Sequence, residues 1–100
     1  MADERSDWAQ LRQRRMAEPG AAESYDAARL AFKLGATVRS LREERALSQT
    51  QLAQAASMTQ SAVARFEAGG TVPTLPILER LARALDVELA VRFSPKTIAA

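Results

Sequence analysis

The sequence predicts an all-α fold that ends in a single β-strand. Apolar residues recur every three to four positions through the centre of the chain, as they do on the buried face of a helix. Ser48, Thr59 and Thr74 each precede such a segment, and their side chains are good helix caps. After Asp86 the apolar period changes to two, which predicts a strand that ends at Pro95.

The composition narrows the classes of function. One hundred residues with 47% hydrophobic content suffice for one small core, so we expect a single domain. The chain lacks a segment of about 18 apolar residues and the apolar core of a signal peptide, so we expect a cytoplasmic protein without a membrane partner. It contains no cysteine and no histidine, which excludes disulfides, thiolate and imidazole metal sites, and catalysis by either side chain. Because it also lacks a glycine-rich phosphate loop, we expect no enzymatic activity, cofactor, metal or small-molecule ligand.

The charge divides the chain into two parts. Residues 1–26 contain four basic and six acidic residues, a net charge of −2. Residues 27–100 contain ten basic and six acidic residues, a net charge of +4. A basic body behind a mildly acidic leader is typical of a nucleic-acid-binding domain whose leader has another role.

Two helices are predicted before the central motif. Ser6 can cap the first, which ends at residues 18–20, where proline and glycine follow each other. Ser24 or Asp26 can start the second, which runs to about Arg45.

The second helix carries a regular apolar stripe. Gly35 is a weak point in it, since glycine is a poor helix former. The residues predicted to form its buried stripe are Leu30, Leu34, Val38 and Leu41.

Three shorter helices follow. The third is capped by Ser48 and runs to Ala56, and a tight turn at residues 57–58 leads to the fourth. The fourth is capped by Thr59 and stopped by Gly69 and Gly70. The fifth follows its cap at Thr74, and its predicted core face consists of Ile77 or Leu78, with Leu81 and Leu85.

The predicted strand needs a partner. A single strand leaves its backbone groups unpaired, and the sequence shows no second strand. Pairing with the same strand of another copy is the simplest solution, and its two-fold symmetry predicts a homodimer. The residues predicted to form the dimer interface are Leu85, Val87, Leu89, Val91 and Phe93.

The third and fourth helices form a helix-turn-helix candidate. Residues 41–53 and 59–69 strongly resemble the Cro/C1-repressor (XRE) helix-turn-helix family, and residues 73–85 continue the resemblance. It covers residues 34–86 and implies a five-helix lambda-repressor-like domain, here with an N-terminal helical extension. The chain departs from the family at Ser57 and Met58, since the family usually has glycine in this turn.

The resemblance implies binding to double-stranded DNA with a palindromic operator. It assigns base reading to Gln60, Ser61 and Arg65 at the start and outer face of the fourth helix. The helical spacing independently places Ser61 and Arg65 outward, although an ordinary solvated face would show the same pattern. The DNA-backbone contacts implied by the resemblance or by local chemistry are Gln49, Thr59, Thr71 and Thr74. The resemblance also implies that Gln49 braces the recognition helix. Arg42 and Glu67 resemble the internal ion pair of the family, a structural role.

The leader suggests a second activity. Residues 23–29 and 89–93 resemble HigA-type antitoxins, which are small dimeric XRE proteins that bind a RelE/HigB-type toxin and repress their own operon. This resemblance implies that the leader binds a toxin through aromatic residues such as Trp8 and Tyr25. The alternative is that both aromatics pack the leader against its own domain.

The chain is therefore predicted to have three parts. Residues 1–33 form a helical leader that binds a partner, residues 34–86 form the DNA-binding domain, and residues 87–100 form the dimerisation strand and tail. The predicted function is an antitoxin that neutralises a toxin and represses its operon. The alternative is a stand-alone XRE-family transcriptional regulator with no toxin partner.

Overall fold

The computed structural model describes residues 20–96, which form four α-helices and no β-strand. The helices are α1 (Ala21–Glu44), α2 (Gln49–Ala55), α3 (Gln60–Glu67) and α4 (Leu75–Ala84). The all-helical prediction is confirmed for this part of the chain. The first of the five predicted helices lies outside it, as do Ser6 and Trp8. None of these four helices is long and apolar enough to cross a membrane.

Helix α1 begins earlier than predicted. Its N-cap is Gly20, which has a left-handed φ of 82° and supplies no capping side chain. The predicted start at Ser24 or Asp26 is wrong, because the Ser24 amide already donates a 3.0 Å hydrogen bond to the Gly20 carbonyl inside the first turn.

The buried stripe of α1 agrees with the prediction at Val38, which is buried, and at Leu34 and Leu41, which pack half-buried against the core. It differs at Leu30. Leu30 is 60% exposed, whereas the buried residues are Ala31, Gly35 and Val38. The helix packs against α3, and its buried positions, which start at Ala31, are mainly small residues. Leu30 therefore lies beside this contact rather than in it.

The three shorter helices begin where their caps predict. The Ser48 hydroxyl accepts a 3.0 Å hydrogen bond from the Gln51 amide, and the Gln51 side chain accepts one of 2.8 Å from the Ser48 amide. This reciprocal capping box satisfies two backbone donors that the helix leaves open. Thr59 and Thr74 accept the equivalent bonds at the starts of α3 and α4. All three cap predictions are confirmed.

Each of the four helices is followed, two positions after its last residue, by a residue in the left-handed backbone region. At the end of α3 this residue is Gly69, and the Gly69 and Gly70 amides donate to the Phe66 and Arg65 carbonyls at 3.0 and 2.8 Å. The other three positions are not glycine but Ala46, Ser57 and Asp86, with φ of 55°, 55° and 56°. The tight turn predicted at residues 57–58 is confirmed, with Ser57 in the conformation that glycine adopts most easily.

The core lies among α2, α3 and α4, with α1 closing one side. Its fully buried side chains are Leu52, Val63, Leu81 and Leu85. Leu85 is only 1% exposed, so its assignment to the dimer interface is wrong: the side chain is buried inside its own chain. Ile77 and Leu78, given as alternatives from the sequence, both pack half-buried against the core.

The predicted C-terminal strand is not confirmed. Residues 87–96 belong to neither a helix nor a strand. Val87 and Leu89 are half-buried, Val91 is 64% exposed and Phe93 is fully exposed. A strand requires a hydrogen-bonded neighbour, and residues 20–96 of one chain provide none at this position.

Candidate nucleic-acid interface

One face of helix α3 is buried in the core, and the opposite face is exposed to solvent. Val63, Phe66 and Glu67 are buried on the inner side. On the outer side Gln60, Ser61 and Arg65 are exposed. Within residues 20–96, neither Ser61 nor Arg65 makes a side-chain hydrogen bond or ion pair, so both side chains are available to a ligand.

Two glycines allow α1 and α3 to touch at backbone distance. A Cβ atom on Gly35 would overlap the Phe66 carbonyl oxygen and lie 2.8 Å from that of Glu67. A Cβ atom on Gly69 would lie 2.9 Å from the Cα atom of Phe32. Gly35 is therefore a packing site rather than a weak point in α1, and α1 fixes the position of α3.

An ion pair joins the same two helices. The Nε and Nη2 atoms of Arg42 donate to the two carboxylate oxygens of Glu67 at 2.7 and 3.0 Å. The remaining Nη1 donates to the Leu47 carbonyl at 2.9 Å, which also ties down the α1–α2 loop. The Arg42 and Glu67 side chains are only 13% and 3% exposed. This bidentate geometry is among the strongest available to an ion pair.

The surroundings of Glu67 keep it ionised. Burial alone would raise the pKa of its carboxyl, but hydrogen bonds from Arg42 and Gln49 and the positive charges nearby outweigh burial and lower the pKa. The hydrogen bond to Glu67 in turn raises the pKa of Arg42, although burial opposes it. Both members of the pair are therefore charged at neutral pH.

A chain of side-chain hydrogen bonds leads from this ion pair to the exposed end of α3. The Gln49 Nε2 atom donates to Glu67 Oε1 at 3.1 Å. The Gln60 Nε2 atom donates to Gln49 Oε1 at 2.8 Å. The bond between Gln49 and Gln60 agrees with the bracing of the recognition helix by Gln49 that the family resemblance implies, whereas the sequence did not reveal the link from Gln49 to Glu67. Gln49 and Gln60 both directly follow a helix cap, but only the packing angle of α2 and α3 brings their side chains together.

The remaining predicted contacts lie around α3. The hydroxyl oxygens of Thr59 and Thr74 accept cap bonds from the Ala62 and Ile77 amides at 3.1 and 3.4 Å, so their hydroxyl hydrogens remain available to an acceptor. Thr71 is half-buried in the loop between α3 and α4.

A shallow groove of about 170 Å³ lies between this loop and α3. The sequence did not predict this groove. It is lined by Met58, Ala62, Arg65, Phe66, Thr71, Val72, Pro73, Thr74 and Ile77. Residues 20–96 contain no cluster of three acidic side chains that could hold a metal ion.

The N-terminal half of α1 presents a separate apolar surface. Tyr25 is 44% exposed and Phe32 is 64% exposed. Both line a groove of about 260 Å³ along the helix, together with Ala28, Arg29 and Lys33. Trp8, predicted to act with Tyr25, lies outside the described residues.

Comparison with known proteins agrees with this geometry. No curated protein matches the chain. The crystal structure of the restriction-modification controller protein C.AhdI from Aeromonas hydrophila is similar, with 36% sequence identity and a TM-score of 0.57. The similarity covers 58% of this chain and 88% of C.AhdI. A family model described as a helix-turn-helix domain matches residues 33–92, more than half of the chain. With α2 and α3 as the two helices of the motif, the chain belongs to the helix-turn-helix family of DNA-binding domains.

Proposed function

We propose that this protein is a sequence-specific DNA-binding transcriptional regulator that reads the major groove with α3. The observation that carries the proposal is the division of α3 into a buried inner face and a solvent-exposed outer face. Arg65 would bind guanine through two hydrogen bonds and Gln60 would bind adenine, with Ser61 between them. The similarity to C.AhdI, a controller protein by its name, supports a regulatory role.

The backbone contacts would come from residues around the recognition helix. The hydroxyl groups of Thr59, Thr71 and Thr74 would donate to phosphate oxygens, as would the side-chain NH2 group of Gln49. Such contacts set the orientation of the protein on DNA without selecting a sequence. Because the chain carries a formal net charge of only +2, we expect modest affinity for one half-site. That affinity should fall with salt, since the phosphate contacts release counterions.

A second copy would supply the missing affinity. We propose that Val87, Leu89, Val91 and Phe93 pair with the same segment of another chain as antiparallel strands. This pairing would cover the exposed Phe93 and satisfy the backbone groups of both segments. The two recognition helices of such a homodimer would enter successive major grooves about 34–36 Å apart on a palindromic operator.

Selection from random double-stranded DNA, followed by fluorescence anisotropy, tests DNA recognition. Arg65→Ala should remove the base preference at one operator position, a loss of about 1–3 kcal/mol, without changing the melting temperature. Arg80→Ala is the matched control, because Arg80 is also exposed but lies on α4. It should leave the base preference at every operator position unchanged. If wild-type protein selects no sequence, the proposed function is wrong. If Arg65→Ala unfolds the protein, the assigned face is wrong.

Size-exclusion chromatography with light scattering tests the dimer. Phe93→Ser should give monomers with weak operator binding, while Arg92→Ser, on the other side of the segment, should leave the dimer intact. Since Phe93 is fully exposed, its replacement leaves the core of the chain unchanged. A dimer that persists after Phe93→Ser and after removal of residues 87–93 would refute the pairing.

The apolar surface on α1 favours a second candidate function, the antitoxin. Neither the family match nor C.AhdI bears on a toxin partner, so this proposal rests on the resemblance of the leader and on the exposed Phe32. Phe32 and Arg29 line the groove on α1, precede the matched residues 33–92, and combine an aromatic anchor with a charge, as protein interfaces do. Co-expression with a RelE/HigB-type toxin should restore growth, and Phe32→Ser should abolish the rescue while Ala36→Ser does not. Continued toxicity with wild-type protein would exclude this function.

A further inference from the structure

The direction of the hydrogen-bond chain behind Gln60 is dictated by chemistry. An ionised carboxylate only accepts hydrogen bonds, so Glu67 must receive the NH2 group of Gln49. The carbonyl oxygen of Gln49 then points away from Glu67. Gln60 must meet that oxygen with its own NH2 group, at 2.8 Å. Each amide in the chain is thus held in one of its two orientations.

This orientation limits what Gln60 can offer to a base. One hydrogen of its NH2 group is used by Gln49, which leaves the second hydrogen and the carbonyl oxygen. In the major groove adenine presents one acceptor and one donor, whereas guanine presents two acceptors. One remaining donor beside one acceptor matches adenine. Reading guanine would require both amide hydrogens, and one of them is already bonded.

We propose that Glu67 is a specificity-positioning residue that makes Gln60 selective for adenine over guanine, by setting the direction of the chain Glu67–Gln49–Gln60. This inference rests on the proposed DNA-binding function and adds to the structural role of Glu67. The ion pair with Arg42 explains why Glu67 is buried. It does not require the third bond, in which Oε1 accepts from Gln49 as well as from Arg42.

Glu67→Gln is the direct test. A glutamine at this position can present either its oxygen or its NH2 group to Gln49, so the whole chain can reverse and free both hydrogens of Gln60 for guanine. Wild-type protein should favour adenine about tenfold or more at the operator position whose preference disappears in Gln60→Ala. Glu67→Gln should reduce that ratio to within about threefold and leave the preference at the Arg65 position intact. An unchanged ratio in a folded Glu67→Gln protein would refute the proposal.

A second variant covers the case in which Glu67→Gln does not fold. Gln49→Ala leaves the Arg42–Glu67 pair in place but cuts the chain, so it should lower the same ratio to within about threefold. Gln54→Ala, an exposed glutamine on the same helix, is the matched control and should change nothing. Uniform weakening at all positions in Gln49→Ala would show that Gln49 contacts only phosphate, and would overturn the inference.

A measurement without DNA separates this inference from the proposed function. The side-chain amide signal of Gln60 in a ¹⁵N NMR spectrum should shift in Gln49→Ala and stay in place in Gln54→Ala. No shift would refute the hydrogen-bond chain itself. If the shift occurs but wild-type protein selects no DNA sequence, the proposed function fails and the adenine selectivity fails with it.

Discussion

For the substitution Gly35→Ala, helix propensity and the packing of α1 against α3 predict opposite changes in stability. Gly35 lies in the middle of α1, where alanine should stabilise a solvated helix by about 1 kcal/mol. In this fold the added Cβ would meet backbone carbonyls of α3, at 2.8 Å for Glu67, whereas ordinary contact begins at 3.4 Å. Backbone atoms cannot rotate away, so α1 and α3 must separate by at least 0.6 Å. That movement also stretches the 2.7 Å bond between Arg42 and Glu67.

The two effects have opposite signs, and packing should win. Overpacking of a well-filled contact costs about 1–3 kcal/mol, and unyielding backbone places this site near the upper end. After subtraction of the propensity gain, we expect a net loss of about 2 kcal/mol. For a domain of this size the melting temperature should fall by roughly 8–16 °C.

Thermal unfolding followed by circular dichroism provides the measurement, at one fixed protein concentration because dimerisation shifts the transition. Ala36→Gly, on the exposed side of the same turn, is the matched control and should cost only the propensity difference of about 1 kcal/mol. A melting temperature for Gly35→Ala at or above that of wild type would show that α1 and α3 do not touch at this residue.

Three further substitutions test other parts of the fold. Ser57→Gly should raise the free energy of unfolding by about 0.5–1 kcal/mol, since Ser57 is held at a φ of 55°. Ser40→Gly, on the exposed face of α1, is the control and should lower the free energy of unfolding; urea titration measures both variants. Glu67→Gln should cost about 3 kcal/mol at pH 7, the lower end for a broken buried pair. Because the pKa of Glu67 lies below its ordinary value of 4.5, its charge stabilises the fold fully above that value, so the difference from wild type should shrink as pH falls below 4.5. Ser48→Ala should cost about 1 kcal/mol in the same titration, and no loss would show that the capping box adds nothing.

Local chemistry explains which features could be predicted. The starts of α2, α3 and α4 follow from Ser48, Thr59 and Thr74, because a cap acts on amides two or three residues away. The end of α3 follows from Gly69 for the same reason. The position of the helix-turn-helix motif could therefore be predicted from the sequence without knowledge of the packing.

Features that depend on contacts between residues distant in sequence could not be predicted from local sequence patterns. Gly35 resembles a helix defect until α3 is placed against it. The bond between Gln49 and Glu67 joins residues 18 positions apart, and no periodicity indicates it. Leu30 fits the apolar stripe as well as its neighbours do, and its exposure becomes visible only when the limits of the α1–α3 contact are known.

Stability and recognition converge on one carboxylate in this protein. Glu67 joins α1 to α3 through Arg42 and also holds Gln49, which holds Gln60. A change that protonates or removes Glu67 should therefore lower the free energy of unfolding and relax base selectivity together. A change that only destabilises the fold should lower the free energy of unfolding but leave the base selectivity intact. Ser48→Ala is the informative comparison, because it weakens the start of α2 and leaves the acceptor of the chain intact. If it lowers stability but keeps adenine preference, selectivity is set by the direction of the hydrogen bonds and not by overall stability.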